Sequence, residues 1–252
     1  MVHFVGAGPG AEDLITVRGM NLIGAADVII YAGSLVNPGL LNYKKEGAIV
    51  YDSALMTLDE VIEVMKNSDE ADRDVVRLHT GEPSIYGAVR EQMDRLDSLG
   101  IAYDSCPGVS ACFGAASSLN IEYTLPGKSQ TLIITRMEGK TSVPEKEQIE
   151  ELAKHEASMA IYLSSGMLDE LTKRLIAGGY DENTPAAIVY KATWSDEKRL
   201  VGRLKDIPKM GRENGISRLA VVLVGSAVSQ KDYELSRLYA KDYSTGYRKA
   251  KV

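Results

Sequence analysis

The stretch VVRLHTGEPSIYG, residues 75–87, decides the fold. Val75, Val76 and Leu78 predict a short buried strand. Gly81 and Pro83 break that strand, because glycine permits a positive φ and proline has no backbone N–H. A helix is predicted after the break. Its apolar face would hold Ile85, Val89, Met93, Leu96 and Leu99, and Gly100 would end it.

A strand, a tight turn and a helix in succession leave backbone groups exposed at the carboxyl end of the strand. Open α/β sheets bind their ligands at that edge. The stretch therefore indicates a ligand-binding turn, although an ordinary connection between a strand and a helix has the same turn chemistry.

The composition is typical of a soluble globular protein of one large or two smaller domains. The chain has 252 residues, 44% of them hydrophobic and 25% charged. No apolar run reaches the roughly 18 residues of a membrane span, and Met1–Val5 enters a strand with no basic segment before it, so we expect no signal peptide. Cys106 and Cys112 are too few for a disulfide framework and are interpreted as buried thiols of a cytoplasmic protein.

The charge of the chain argues against a nucleic-acid partner, because the net charge is −6 and phosphate binding needs a basic surface. Residues 1–126 contain 8 basic and 18 acidic side chains, whereas residues 127–252 contain 21 and 17. The second half is therefore expected to supply most cations to an anionic substrate. His3, His79 and His155 are far apart in sequence, so no protein-bound metal is expected.

A glycine-rich loop follows the first strand. Gly6, Gly8 and Ala11 match the G-x-G-x-x-A pattern of dinucleotide-binding proteins, which keeps a nicotinamide-dependent oxidoreductase as an alternative. Two features disfavour it. Pro9 removes one N–H from the loop, and the second strand ends without an acid to hold a ribose, since Asp27 stands before that strand.

Strands alternate with helices through residue 120, which predicts an α/β fold with a mostly parallel first sheet. The pattern breaks at residues 124–128, so we predict an N-terminal domain over 1–125 and a C-terminal domain over 126–252. Short turns between later strands predict a mixed second sheet with flanking helices. The acid-rich residues 67–74 are predicted as a solvated loop, residues 145–155 as one helix, and the tail from Gln230 as a partly ordered extension.

Known hydrolytic and phosphoryl-transfer motifs are missing from the sequence. It has no G-x-S-x-G elbow and no Walker A loop, and nothing marks a Ser-His-Asp arrangement or a general base. Glycine-rich and proline-containing loops without a nucleophile suit transfer between two bound organic molecules. Alignment of two reactants alone can remove roughly 7–11 kcal/mol of a barrier.

Five motifs in order make the whole chain resemble the tetrapyrrole methylases, the two-domain enzymes of cobalamin and sirohaem synthesis that use S-adenosylmethionine. Together they cover about 220 residues. The first motif comprises residues 5–10 and 14–19, and the other four are residues 80–87, 107–111, 184–193 and 221–225. The resemblance implies a two-domain tetrapyrrole methylase fold. It also implies methyl transfer to a tetrapyrrole and a homodimer.

Further motifs resemble the subgroup that methylates C11 of precorrin-4 or of its cobalt form, giving (cobalt-)precorrin-5A. These further motifs are residues 33–36, 129–131, 135–141, 191–194 and 246–249. Alternatives are a C20 or C17 methylase of the same family, a methylase of a modified protein side chain, and a tetrapyrrole or nucleotide sensor without catalysis.

The resemblance also implies a cofactor site, with S-adenosylmethionine folded in a cleft between the domains and S-adenosylhomocysteine as product. It places Pro9 beside the cofactor, Thr80, Gly81, Glu82 and Ile85 around its methionine part, Ser110 and Ala111 as its cap, and Tyr162, Leu163, Ala192 and Ala220 around its adenosine. Glu82 departs from the family, which usually has Asp there.

The substrate carries many acetate and propionate groups, which suit Arg136, Lys140 and Lys191 on the more basic half. Each of these cations could equally be a solvated surface charge. Any cobalt is expected to arrive within the substrate. The sequence leaves open whether the substrate carries cobalt or is metal-free.

Overall fold

The computed structural model describes residues 1–33 and 35–250. Ser34, which belongs to the subgroup motif 33–36, lies outside the described residues. Among the described helices, none has the length and apolar character needed to cross a membrane.

The chain divides into two compact units. The first comprises Met1–Ser118 together with Lys191–Glu197, and the second comprises Leu119–Tyr190 and the chain from Lys198 onward. The sequence assigned residues 191–197 to the second half, whereas the structure groups them with the first unit. The domain boundary after residue 125 stays a prediction.

A five-stranded sheet forms the centre of the first unit. Its strands are β1 (Val2–Gly6), β2 (Val28–Tyr31), β3 (Ile49–Asp52), β4 (Val75–His79) and β5 (Tyr103–Cys106). The strands run parallel in the order β3-β2-β4-β1-β5. The expected parallel sheet is therefore confirmed.

Four α-helices flank this sheet: α1 (Val17–Ala25), α2 (Leu58–Glu70), α3 (Arg90–Leu99) and α4 (Ala111–Leu119). On one face, Ile23 of α1 packs with Val5 and Leu78. On the other face, Met65 of α2 and Leu96 of α3 pack with Phe4, Val75 and other strand residues. Alternate residues of each strand thus point to opposite apolar layers, and burial on both faces is typical of a parallel sheet.

The neighbouring strands β1 and β4 are followed by helices on opposite faces of the sheet, since α1 follows β1 and α3 follows β4. A crevice opens at the carboxyl ends of two such strands, and α/β proteins bind ligands there. This edge is the one that the 75–87 stretch predicts.

Two helix boundaries in the first unit differ from the sequence-based expectation. Tyr86 (φ 57°) and Ala88 (φ 49°) take the left-handed conformation, so α3 begins at Arg90 rather than near Ile85. The predicted loop 67–74 is wrong in its first part, because α2 continues to Glu70. Ser68 is buried on α2, and its hydroxyl donates to Val64 O at 2.7 Å.

A second five-stranded sheet forms the centre of the second unit. Its strands are β6 (Leu132–Arg136), β7 (Ser158–Tyr162), β8 (Pro185–Tyr190), β9 (Lys198–Arg203) and β10 (Ala220–Val224). The order is β6-β7-β10-β8-β9, and only β6 and β7 pair in parallel. The expected mixed sheet is confirmed.

The helices of the second unit are α5 (Ile149–Ala153), α6 (Leu168–Ala177) and α7 (Ile207–Glu213). Leu171 and Leu175 of α6 pack with Ile161 and Val222 of the sheet in one apolar core. The predicted single helix 145–155 is wrong, because Gln148 is extended and separates a 3₁₀ turn from α5. In the described part of the tail, residues 231–250, the chain forms one 3₁₀ turn, Arg237–Tyr239.

Candidate active site

Backbone hydrogen bonds join the turns that follow β1 and β4. Gly81 N–H donates to Gly8 O at 2.9 Å, and Gly8 N–H donates to Gly81 O at 3.3 Å. Ala7 N–H donates to His79 O at 2.7 Å. Beyond the parallel β1–β4 pairing, an isolated antiparallel bridge between Gly8 and Gly81 holds the two turns side by side.

The turn after β5 meets both of them at Gly108. A Cβ atom on Gly108 would lie 2.8 Å from Gly6 Cα and closer still to Gly81 O, and one on Gly6 would lie 2.6 Å from Gly108 Cα. Gly81 itself has a φ of +60°, a backbone angle that residues with a side chain rarely adopt. We call Gly6, Gly81 and Gly108 the glycine junction. At Gly6 and Gly108 the backbone segments can approach this closely only because glycine has no side chain, and at Gly81 the positive φ favours glycine.

Glu82 fastens this junction with its carboxylate. Oε2 accepts a hydrogen bond from Gly108 N–H at 2.8 Å, and Oε1 accepts one from Ser84 N–H at 3.0 Å. Burial alone would raise the pKa of Glu82, but the hydrogen bonds from the Ser84 and Gly108 amides outweigh it and lower the pKa. The carboxylate thus links the β4 turn to the β5 turn in its charged form.

Helix α4 begins directly beside the junction. A Cβ atom on Gly81 would lie 3.5 Å from Ala111 N, and Ser110 is only 5% exposed. A Cβ atom on Gly114 would lie 2.6 Å from Pro9 Cβ, so this glycine lets α4 pack against the β1 loop. The first N–H groups of a helix favour a carboxylate ligand. The edge therefore combines backbone donors with the charged Glu82.

The structure brings most of the predicted first-half residues together at this edge. Pro9 is buried, Thr80 is exposed next to Gly81, and Ile85 is half-buried. Ile85 N–H donates to Glu82 O at 3.1 Å, which closes the turn.

The segment Lys191–Glu197 packs onto the β1 loop within the first unit. Thr193 Oγ1 accepts a hydrogen bond from Ala11 N–H at 2.9 Å. Glu197 Oε2 accepts from Thr193 N–H at 2.6 Å and from the Ser118 hydroxyl at 2.5 Å. A Cβ atom on Gly10 would lie 2.5 Å from Trp194 Nε1, so the indole rests against the loop. Ala192, only 4% exposed, is thereby placed in the first unit.

The remaining predicted cofactor residues lie at one end of the second sheet. Tyr162 ends β7, and Leu163 follows it with a φ of 54° and 67% exposure. Ala220 begins β10 and pairs with Tyr190 at the end of β8. Tyr162 also pairs with Arg136 at the end of β6. The two units thus each present one set of candidate residues at one edge of their sheet.

The three predicted substrate cations differ in how they are engaged. Arg136 donates to the carbonyl oxygens of Thr141 at 3.1 Å and Ser142 at 2.8 Å. Lys191 Nζ lies 2.6 Å from Asp196 Oδ2 and 5.2 Å from the centre of the Trp194 ring. Lys140 is exposed and makes no hydrogen bond or ion pair within the described part of the chain.

Sequence reasoning missed three features of this region. Gly6 and Gly108 lay inside recognised motifs, but their mutual contact depends on the strand order. The Thr193–Ala11 bond joins residues 182 apart in sequence and the Glu197–Ser118 bond joins residues 79 apart, and no local pattern signals either of them.

His79 was interpreted only as a single histidine without metal partners. The structure buries it near the Phe4 ring, with ring centres 6.0 Å apart, and its Nε2 has no partner among the described residues. Desolvation, followed by the charge of Arg77, lowers the pKa of His79 to about 3. His79 is therefore uncharged at physiological pH.

No group of three or more His, Cys, Asp or Glu side chains in residues 1–33 and 35–250 could hold a metal ion. Within the same residues, Cys106 and Cys112 are free thiols, and both are buried as predicted.

The chain is thus a two-unit α/β protein in which a glycine-lined turn region lies at the carboxyl edge of the first sheet. The sequence profile of the tetrapyrrole (corrin/porphyrin) methylases matches residues 1–208, and the chain belongs to this family.

Three relatives are particularly informative. A cobalt-precorrin-4 C(11)-methyltransferase from Methanocaldococcus jannaschii is 52% identical over 99% of this chain and 96% of its own. A precorrin-4 C(11)-methyltransferase from Rhodococcus erythropolis is 43% identical over 95% of this chain and 96% of its own. The X-ray structure of a cobalamin biosynthetic enzyme, cobalt precorrin-4 methyltransferase, superposes with a TM-score of 0.88. It is 44% identical, and the match covers 90% of this chain and 95% of that one.

Proposed function

We propose that this protein transfers a methyl group from S-adenosylmethionine to C11 of cobalt-precorrin-4, giving cobalt-precorrin-5A in cobalamin biosynthesis. The observation that carries the proposal is the 52% identity to a cobalt-precorrin-4 C(11)-methyltransferase over 99% of the chain. The solved relative with a TM-score of 0.88 is also named for cobalt precorrin-4. Precorrin-4 without metal is the second candidate substrate, because the Rhodococcus relative is named for it.

The glycine junction and its surroundings fit the methionine part of the donor. The junction exposes backbone rather than side chains, and the first turn of α4 offers N–H groups to a carboxylate. Glu82 supplies a negative charge that suits an ammonium group nearby. We assign this part of the donor to Pro9, Thr80, Gly81, Glu82 and Ile85, with Ser110 and Ala111 at its end.

The adenosine part is assigned to four residues on three segments of the chain. Ala192 lies on the segment that Thr193 and Glu197 fasten to the β1 loop. Tyr162, Leu163 and Ala220 lie together at one end of the second sheet. One aromatic and three aliphatic side chains suit a flat purine.

S-adenosylmethionine, when bound, would supply an electrophilic methyl group. The C11–methyl bond would form in line as the bond from the sulfonium sulfur to the methyl group breaks, and S-adenosylhomocysteine would leave. The chain itself needs no nucleophile for this reaction. Its residues hold two reactants in a fixed orientation, and such alignment contributes on the order of 7–11 kcal/mol. The substrate carboxylates are assigned to the basic side chains Arg136, Lys140 and Lys191. Lys140 carries most of this role, since its ammonium group has no partner within the described residues.

A comparison of S-adenosylhomocysteine with nicotinamide nucleotides as ligands tests the assignment of the methyl donor. S-adenosylhomocysteine at 100 times its Kd is expected to stabilise the protein by about 2.7 kcal/mol, because a ligand stabilises the state that it binds. NADH and NADPH at equal concentration are expected to leave the melting temperature unchanged. Thermal unfolding measures both. Stabilisation by NADPH and not by S-adenosylhomocysteine would favour the oxidoreductase alternative.

We further infer a homodimer in the cytoplasm, with no metal held by the protein and no nucleic-acid or membrane partner. The net charge of −6 supports the absence of a nucleic-acid partner. The homodimer rests on the family resemblance alone. Light scattering of the purified protein measures it.

A further inference from the structure

The loop that follows β6 is folded around the side chain of Arg136. Its guanidinium donates to Met137 O at 3.4 Å, Thr141 O at 3.1 Å and Ser142 O at 2.8 Å. The N–H of Gly139 donates to Thr141 O at 3.2 Å within the same loop. We call residues 137–142 the β6 loop. Arg136 fixes the internal shape of this loop.

One end of the β6 loop is fastened to the core. Met137 is 2% exposed and belongs to the apolar core of the second unit. Its N–H donates to Ser164 Oγ at 3.0 Å, and that hydroxyl donates to Tyr162 O at 2.8 Å. These contacts hold the start of the loop but do not reach its tip.

A second arginine fastens the loop on its other side. Arg174 of α6 donates to Glu138 Oε1 through Nη1 at 2.7 Å. It also grips Glu150 with two bonds, Nε to Oε1 at 2.5 Å and Nη2 to Oε2 at 2.6 Å. Arg174 is 12% exposed, so this ion pair is better shielded than the surface pairs of the chain.

The charges of this triad depend on each other. The hydrogen bond from Arg174 is the largest cause that lowers the pKa of Glu150, and Glu150 in turn is the main cause that raises the pKa of Arg174. Without the guanidinium, two carboxylates would face each other at a partly buried site. Their repulsion would drive Glu138, and the loop with it, away from α6.

Lys140 stands two residues beyond Glu138 at the tip of the β6 loop. Its ammonium group is exposed and has no hydrogen bond or ion pair within residues 1–33 and 35–250. The loop is therefore held at three places, through Arg136, Met137 and Glu138, and its one unengaged cation is at the tip.

We propose that Arg174 is a positioning residue for substrate recognition: it holds Glu138 so that Lys140 presents its ammonium group to a carboxylate of the anionic substrate. This inference rests on the proposed function for the nature of the substrate. Arg174 touches no reactant in this account and acts only through the β6 loop. The guanidinium of Arg136 donates hydrogen bonds to backbone carbonyl oxygens of the same loop and so stabilises its internal conformation.

Arg174→Met is expected to raise the KM for the tetrapyrrole about tenfold, with kcat and the Kd of S-adenosylhomocysteine within twofold of the parent. A higher KM with an unchanged kcat indicates that substrate binding is weakened and that the chemical step is not affected. Amide hydrogen exchange at residues 138–142 is expected to accelerate about tenfold, since the loop loses its fastening. Arg174→Lys keeps the charge and is expected to recover part of the KM.

Combining the Arg174 and Lys140 substitutions tests whether Arg174 positions Lys140 or has only a general structural role. If Arg174 acts through Lys140, Arg174→Met adds no further rise in KM to a Lys140→Met variant. The matched control is Arg212→Met, which removes the exposed ion pair between α7 and Asp169 on α6 and leaves the β6 loop untouched. We expect parental KM and parental exchange of the loop in this control.

Glu138→Ala provides a second route if Arg174→Met fails to fold, because it removes the acceptor that Arg174 Nη1 holds and leaves the Arg174–Glu150 pair intact. Parental exchange rates in the β6 loop of the variants, or KM increases that add to that of Lys140→Met, would overturn the proposal. Failure of the parent enzyme to methylate the tetrapyrrole would overturn the proposed function and the recognition role of Lys140. The exchange rates would then still decide whether Arg174 fastens the loop.

Discussion

Gly108→Ala is expected to destabilise the protein by about 3 kcal/mol or more and to abolish binding of S-adenosylhomocysteine. The added Cβ would lie 2.8 Å from Gly6 Cα, and closer to Gly81 O, where neither neighbour is a flexible side chain. Overpacking of a well-packed region typically costs about 1–3 kcal/mol, and a backbone contact leaves little room for relief. Urea denaturation and calorimetric titration measure the two effects.

Gly24→Ala is the matched control for this substitution. Gly24 lies in α1, where a Cβ atom would come no closer than 3.5 Å to Tyr43 O. An alanine in a helix is favoured over glycine by about 0.5–1 kcal/mol, so parental or slightly higher stability is expected. If Gly108→Ala behaves like Gly24→Ala, the glycine junction is not a close backbone contact.

Glu82→Gln is expected to weaken binding of S-adenosylhomocysteine at least tenfold and to lower the free energy of unfolding by about 2 kcal/mol. The carboxylate accepts two backbone N–H groups, from Ser84 and Gly108. A glutamine offers one oxygen and one NH₂ group, so one amide donor would face another donor. Hydrogen bonds to charged groups contribute about 1.5–3 kcal/mol. Glu91→Gln, an exposed acid of α3 without a described partner, is the control.

The pH dependence of this difference has a defined sign. Because the pKa of Glu82 in the folded protein lies below its ordinary value of 4.5, its contribution is fully present above that value. It is lost as the pH falls through the lowered pKa. The stability difference between the parent and Glu82→Gln should therefore stay constant at neutral pH and shrink in acid. A difference that grows on acidification would contradict the account.

The family resemblance leads us to expect an aspartate at position 82, and the structure shows what the longer glutamate side chain does. Both of its oxygens reach backbone amides on two different turns. Glu82 is thus a clamp of the glycine junction as well as a candidate cofactor contact. The sequence placed this residue at the site but gave no indication of the clamp.

Much of the fold followed from local sequence patterns. Val75–His79 forms the predicted buried strand, and the parallel and mixed sheets agree with expectation. The start of α3 could not be predicted from the sequence, because no sequence pattern indicates that non-glycine residues such as Tyr86 and Ala88 have a positive φ. Their conformation is set by the turn around them, where Gly87 packs against the Pro83 backbone.

The sequence predicted a set of candidate residues but not the geometry in which they lie. Recognised motifs contained the residues of the junction, but only the strand order brings Gly6 and Gly108 together. Grouping of residues 191–197 with the first unit depends on a bond between Thr193 and Ala11, 182 residues apart. The engagement of Arg136 by carbonyl oxygens was likewise invisible, since it requires the folded β6 loop.

The most direct test of the account is the position of the transferred methyl group. Cobalt-precorrin-4 would be incubated with the protein and with S-adenosylmethionine labelled with ¹³C in its methyl group, and the product assigned by NMR. The account predicts one labelled methyl group per molecule, attached to C11, over many turnovers. A label at C17 or C20, or no transfer to the macrocycle, would contradict it.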